Sequence, residues 1–505
     1  MSHLTLYSPH YRKLTTTVCG FNRRTRRLSV IHSDLFQGAG GRSSGRDSAI
    51  GVLPDDVLLL IFSFYRVSSP PDWHRLAHVC QRWRRIVFAF PCSLDLRLYC
   101  TPKTPVRNTL DCWPAFPIEV RCGGSPHPKR PSPEEEENIV AALQHPNRIR
   151  NIELRLTSSL VDKLRTQVEE PFSELEHLAI LSQNSTQLVL PATFRWGSRL
   201  RRLHSTRVAF SLPQLLSSSP NLIDLQLHDI PRVGYFSPEA LANALSGTTQ
   251  LQTLSLRFLC PASRHNTIGV PQSSGERFSL PSLTRFKFRG TSNNLDRLAA
   301  RINAPCLGDI EIAFFNELTF DVSHLGRFLN RIETLKSHRR AEIRTSKRIV
   351  SICFTQRGAP ARLKLEISCR RLDRQLTSLA QVCGHFPSSL LGIEHLAIIT
   401  TQPTSGQDGV ENEQWLTLLR LFRSTEKVQV AGELATDIVH ALRTTNEEAA
   451  AVLPALRNLY LQEPGPLFAP LRAAVVPFVT SRRLSGCPVT VEYTQRYSKK
   501  AAADM

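Results

Sequence analysis

Leu251-Gln252-Thr253-Leu254-Ser255-Leu256 places apolar residues at the first, fourth and sixth of six positions. The same spacing recurs at Ile149-x-x-Ile152-x-Leu154, Leu175-x-x-Leu178-x-Ile180, Leu222-x-x-Leu225-x-Leu227, Leu283-x-x-Phe286-x-Phe288, Leu307-x-x-Ile310-x-Ile312, Ile393-x-x-Leu396-x-Ile398 and Leu456-x-x-Leu459-x-Leu461. Leu200-x-x-Leu203 joins them with Ser205 in the last place. From Ile149 to Leu307 the steps are 26, 25, 22, 29, 32 and 24 residues. The last two apolar positions of each stretch alternate as inward-facing residues do along a short strand, while the first closes the turn before it. Leu-Pro-x-Leu at Leu280 to Leu283 and Leu453 to Leu456, and Ser-Pro-x-Leu at Ser219 to Leu222, supply the turn chemistry.

Helix-like stretches separate the strands: Pro238 to Leu245, Leu295 to Ile302, and Val322 to Ile332 with Leu325, Phe328, Leu329 and Ile332 on one side. A strand–helix unit is too small to bury its own apolar face, so the units must stack into one continuous core. The pattern resembles the leucine-rich repeat, whose period is ~20–29 residues, although the usual turn Asn is missing. The expected fold class is therefore α/β, an irregular leucine-rich-repeat-like solenoid over residues 147–493. Between 333 and 392 the register weakens, and Arg348 to Phe354 and Ala361 to Ile367 read as strands of divergent repeats in preference to an insertion. Val428-x-Val430 reads as a degenerate strand. Residues 92–146, with Leu94-x-Leu96-x-Leu98 and a Pro-rich loop at Glu134 to Glu137, read as an atypical linking unit.

The whole chain has 505 residues, 41% of them hydrophobic, and 63 Lys plus Arg against 43 Asp plus Glu, a net charge of +20. That apolar content excludes wholesale disorder. No apolar run approaches the ~18–20 residues of a bilayer span, so no membrane association is expected. The 12 cysteines include no C-x-x-C pair and no zinc-finger spacing, which points to a reducing compartment, cytoplasmic or nuclear, and to no metal. Residues 1–50 carry Arg23, Arg24, Arg26 and Arg27 against only Asp34 and Asp47, followed by a Gly/Ser/Arg stretch. This reads as a disordered basic tail, open to a nuclear signal, a transit peptide or simple solvation. Residues 494–505 form a second basic tail.

At residues 51–91 the texture becomes helical. Pro54, Asp55 and Asp56 suit a helix start, since proline lacks an N–H that would be orphaned there and acids complement the helix dipole. Apolar residues follow at Val57, Leu58, Ile61, Phe62 and Tyr65, then, after a Ser/Pro spacer, at Leu76, Val79, Cys80, Trp83, Ile86, Val87 and Phe90. Forty residues of short helix bury too little to stand alone and must pack on a neighbour. Leu53-Pro54, Val57-Leu58, Ile61-Phe62, Leu76, Val79-Cys80, Trp83-Arg84 and Ile86-Val87 resemble the F-box. With the segment that follows, the chain is similar to the large F-box protein families of mushroom-forming (basidiomycete) fungi.

What that resemblance implies is binding. F-boxes dock on the Skp-type adaptor of a cullin-RING (SCF-type) ubiquitin ligase. Carried over by position, the adaptor-binding set here is Leu53, Pro54, Val57, Leu58, Ile61, Phe62, Leu76, Val79, Cys80, Trp83, Ile86 and Val87, some of which must serve the internal core instead. The solenoid would then hold a target protein. On its strands, outward positions carry Arg257, Arg285, Lys287 and Arg289, with Arg155, Arg202 and His228 earlier. Clustered cations favour an acidic or phosphorylated segment, and an ordinary solvated basic face is the alternative. His177 and His395 fall at exposed strand positions.

Signals for catalysis are weak. Gly41-Arg42-Ser43-Ser44-Gly45 spells G-x-S-x-G, but a nucleophile elbow needs a strand-to-helix turn and this lies in the tail. No phosphate-binding glycine loop and no H-E-x-x-H occurs. We therefore expect a non-enzymatic substrate-recognition subunit with no cofactor. The rival is a nuclear nucleic-acid-associated or scaffold protein acting through its positive charge, less favoured because that charge is spread along the chain.

Overall fold

The structure is a computed structural model. It describes residues 53–65, 76, 79–89, 96–103, 106–113, 115–122, 130–168, 170–182, 188–191, 194–261, 277–317, 319–356, 362–369, 371–386, 392–400, 412–431, 434–442, 452–462 and 468–494. The basic segments expected at 1–50 and beyond 494, and with them the G-x-S-x-G motif, lie outside the described residues. The chain divides into two compact units, residues 1–67 and 68–505.

In the first unit, helix α1 (Asp55–Tyr65) opens with two acids in its first turn. The Pro54 carbonyl accepts from the N–H groups of Val57 and Leu58, each at 3.1 Å. Proline thus sets the entry as its fixed φ requires.

The second unit begins with helix α2 (Gln81–Ala89) and then alternates strand and helix. Its first layers are β1 (Leu96–Cys100), α3 (Val106–Cys112), β2 (Ile118–Cys122), α4 (Pro133–Leu143), β3 (Ile149–Leu156), α5 (Ser158–Gln167), β4 (His177–Ser182) and β5 (Arg202–Thr206). Next come α6 (Leu212–Ser218), β6 (Asp224–Ile230), α7 (Pro238–Leu245), β7 (Thr253–Phe258), β8 (Arg285–Gly290), α8 (Ser292–Arg301), β9 (Asp309–Phe314) and α9 (Ser323–Asn330). The remainder is β10 (Arg340–Thr345), β11 (Ile349–Thr355), β12 (Arg362–Ser368), α10 (Leu372–Gly384), β13 (His395–Thr400), α11 (Asn412–Leu419), β14 (Lys427–Ala431), α12 (Leu434–Ala441), β15 (Asn458–Gln462), α13 (Phe468–Leu484) and β16 (Thr490–Thr494). Among the described residues no helix is long and apolar enough to cross a membrane.

These strands form one 16-stranded sheet in the order β1 to β9, β12, β11, β10, β13 to β16. Helices adjacent in sequence pack on one another, as α6 on α7, α7 on α8 and α8 on α9. One continuous apolar core runs through all the layers. The repeat explains both features. The first residues of five L-x-x-L-x-L stretches, Leu222, Leu251, Leu283, Leu307 and Leu456, donate their N–H to the carbonyl three residues earlier at 3.1–3.3 Å, closing a turn. Leu222, Leu251 and Leu307 are fully buried, and in β8 and β9 the next two apolar residues are buried while the residues between them are partly exposed.

Two sequence expectations need correction. Glu134 to Glu137 form the first turn of α4 instead of a loop: Ser132 and Glu135 make a reciprocal capping box, Pro133 occupies the first helical position and three acids meet the dipole. Glu136 is buried, accepting from the hydroxyl of Ser159 at 2.6 Å and from that of Thr157, and Lys163 lies 3.4 Å away. Residues 92–146 hence contribute two regular strand–helix layers to the same sheet.

The second correction is at 333–392, where an antiparallel excursion replaces the divergent repeats. β11 runs antiparallel to both β10 and β12, while β12 is parallel to β9 and β10 is parallel to β13. The β10–β11 connection is a tight turn in which the Ser346 N–H donates to the Ile349 carbonyl at 2.9 Å. Two crossovers through α9 and α10 carry the chain past this meander and back. Val428 and Val430, read as degenerate, lie in a complete strand, β14, parallel to both neighbours.

Candidate functional site

In the first unit, α1 has two apolar faces. Leu58 and Phe62, four residues apart, are buried. Val57, Leu60 and Ile61, at i, i+3 and i+4, remain 39%, 59% and 41% exposed, and Pro54 beside them is exposed too. A helix repeats every 3.6 residues, so each set shares one side. Leu53 is half-buried. Leu60 did not appear in the sequence-derived set, because Val57 to Phe62 is apolar at every position and periodicity cannot choose among them.

In the second unit, Leu76, Ile86 and Val87 are buried, Trp83 is half-buried, and Val79 and Cys80 are exposed. The Trp83 N–H donates to Cys80 Sγ at 3.4 Å, so the thiol caps the start of α2. Phe88, absent from the expected set, lies 6.4 Å from the Phe116 ring and leans α2 on the first layers of the sheet. Of the twelve residues expected at the adaptor, Pro54, Val57, Ile61, Val79 and Cys80 are therefore exposed, whereas Leu58, Phe62, Leu76, Ile86 and Val87 belong to the interior.

The outward sheet face carries the expected cations. Arg285 lies opposite Thr253 and Asp309, Lys287 opposite Ser255 and Glu311, and Arg289 opposite Arg257 and Ala313. They do share one surface, but much of their charge is answered. Lys287 Nζ is 3.3 Å from Glu311, which Lys364 approaches at 3.5 Å, and the Arg289 guanidinium sits 5.7 Å from the Phe315 ring centroid. Burial raises the Glu311 carboxyl, yet Lys287, Lys364 and Arg362 outweigh it and hold the group below the usual carboxylate range. Arg155 and Arg202 stand on β3 and β5, distant strands of the same sheet. His228 is mostly buried, its Nε2 is 3.0 Å from Ser255 Oγ, and burial followed by the Arg257 charge pushes its pKa down to about 4. His177 and His395, expected to be exposed, are half-buried. Among the described residues no three His, Cys, Asp or Glu side chains gather as a metal site.

Further along this face is a concavity of about 260 Å³ bounded by β10, β13, β14 and β15. Its polar rim is Arg340, His395, Lys427, Gln429, Tyr460 and Glu342.

No curated protein matches the chain at a significant level. Among solved structures, the leucine-rich repeat-containing protein LegL7 from Legionella pneumophila is similar at 12% identity, over 78% of this chain and 99% of that one, with a TM-score of 0.23. Residues 50–94 match the F-box-like family, and so the chain carries an F-box-like domain ahead of its strand–helix layers.

Proposed function

We propose that this protein is the non-catalytic substrate-recognition subunit of an SCF-type cullin-RING ubiquitin ligase, similar to the F-box families of basidiomycete fungi and working in the cytoplasm or nucleus. The F-box-like match at 50–94 carries the reading. The apolar side of α1 left in water supports it, because such a surface suits a partner's groove. In this reading the exposed residues of the F-box set meet the Skp-type adaptor. The outward sheet face, with Arg257, Arg285, Lys287 and Arg289, holds the target for ubiquitin-dependent degradation, and the complex acts by raising the target's effective concentration at the conjugating enzyme. Cations interleaved with acids on that face suit a protein partner better than a nucleic-acid backbone.

The test is co-purification of the Skp-type adaptor with the wild-type chain and with a double variant, Leu53→Ala and Pro54→Ala. Capture by wild type alone is expected. Equal capture by both, or by neither, would overturn the assignment.

A further inference from the structure

We propose that the concavity over β10, β13, β14 and β15 is a seat for a carboxylate side chain of the captured protein, gripped between Arg340 and Lys427 with Tyr460 as a wall. The inference rests on the reading of the sheet face as the target-binding surface and names the chemistry it selects.

Register builds the seat. One row across the strands runs Arg340, His395, Lys427 and Asn458, and the next outward row runs Glu342, Ala397, Gln429 and Tyr460. Ala397 is the short member of its row, so the surface sinks there between Glu342 and Gln429, leaving the cations above a shallow floor. The volume of about 260 Å³ falls under the ~300–1,000 Å³ of small-molecule sites and suits one inserted side chain.

Charge then selects the occupant. Lys427 is exposed and has no carboxylate partner among the described residues, unlike Lys287 on the earlier patch. Burial, then Lys427, then Arg340 hold the His395 imidazole below its ordinary pKa, against the opposing pull of Glu394 and Glu426. His395 is thus neutral at pH 7 and close to both cations. Glu342, the rim acid, is engaged by Arg344. Lys427, with Arg340 across His395 from it, matches a monoanion. A phosphoryl dianion would bring a second negative charge to a rim that already holds Glu342, with Glu394 and Glu426 acting on His395 beside it.

The probe is a fluorescein-labelled Glu-rich decapeptide titrated by anisotropy into the full chain at about 0.15 M salt, where distant charges are screened. Its Gln-substituted and phosphoserine-substituted versions serve as comparison arms. Lys427→Glu should weaken binding of the Glu peptide at least tenfold, and Gln429→Glu, on the opposite wall, should weaken it several-fold. Arg165→Glu makes the same change of net charge on helix α5 and should alter binding less than twofold. The proposal falls if Arg165→Glu costs as much as Lys427→Glu, if the Gln peptide binds equally well, if no binding is seen, or if the phosphoserine peptide binds tenfold tighter. The Leu53/Pro54 double variant should bind the peptide as wild type does. An adaptor that never co-purifies, with Lys427-dependent peptide binding intact, overturns the ligase reading and leaves the seat standing.

Discussion

Replacing Leu60 and Ile61 together by Ala separates docking from folding within one helix. The two side chains expose 59% and 41% of their area, so covering both removes from water about as much apolar surface as burying one whole aliphatic side chain. That transfer is worth roughly 1.5–3 kcal/mol, equivalent to a 10- to 100-fold rise in the adaptor Kd at ~1.4 kcal/mol per tenfold. The buried fractions of the same two side chains also sum to about one, so the double variant should lose roughly 1–2 kcal/mol of unfolding stability as well, the wet part contributing nothing to it. Leu58→Ala, one turn away and fully buried, should cost more, ~2–5 kcal/mol of stability, through lost burial and an unfilled cavity. Adaptor titration by calorimetry gives the first quantity and urea unfolding gives the second. An unchanged Kd in the Leu60/Ile61 variant, or a stability loss equal to that of Leu58→Ala, would refute the assignment of the two faces.

Three further outcomes are expected. With its pKa lowered from 6.5 to about 4, His228 is neutral in the fold. Its contribution is present above pH 6.5 and is lost as pH falls toward 4, on the order of 3 kcal/mol, so His228→Gln should flatten that part of the melting-versus-pH curve. Asp296 behaves in the reverse sense. Burial raises its carboxyl pKa against the hydrogen bond from the Leu325 N–H at 2.8 Å, so its stabilising share is present at low pH and is lost as pH rises through the folded pKa. Asp296→Asn keeps an acceptor for that N–H, and its melting temperature relative to wild type should climb between pH 4 and pH 7. Gly326→Ala would set a Cβ 2.2 Å from the His385 carbonyl oxygen, and a drop of ~1–3 kcal/mol in urea unfolding is expected where α9 meets the end of α10.

The sheet was legible because its signal is redundant. Each layer restates the same three apolar positions, and a substitution such as Ser205 for an aliphatic residue leaves the others to fix the register. The capping box at Ser132 and Glu135 was also written in the sequence, but proline and four consecutive acids hid it by resembling a solvated loop. What periodicity could not supply was the facing of α1. Six apolar residues in a row satisfy any helical phase, and only packing decides that Leu58 turns inward and Leu60 outward. The cationic patch at Arg285, Lys287 and Arg289 was legible as composition, whereas its neutralisation depends on Glu311, which lies on the next strand and 24 residues beyond Lys287.

The antiparallel excursion is the feature that links this topology to the proposed seat. In the rows of the sheet, Arg340 of β10 stands opposite His395, while Asp309 of β9 stands opposite Arg362. Were the repeat to run directly from β9 to β13, the same register would bring Asp309 against His395 and place an acid where Arg340 now stands. β10 to β12 therefore insert three strands and, by reversing their spatial order, exchange that carboxylate for a guanidinium at the rim. The exchange is secured from within: buried Gln375 of α10 donates to the carbonyls of Ser346, in the β10–β11 turn, and Cys369, just past β12, at 2.9 and 2.8 Å. Those two bonds tie the β10–β11 turn and the end of β12 to the helix that returns the chain to β13, and the irregular part of the repeat thereby holds a fixed register with the regular part. The weakened motif between residues 333 and 392 thus reflects a different pairing rule instead of decay. Its strands alternate in-and-out as the others do, but hairpin turns replace the L-x-x-L-x-L corner wherever the chain reverses direction.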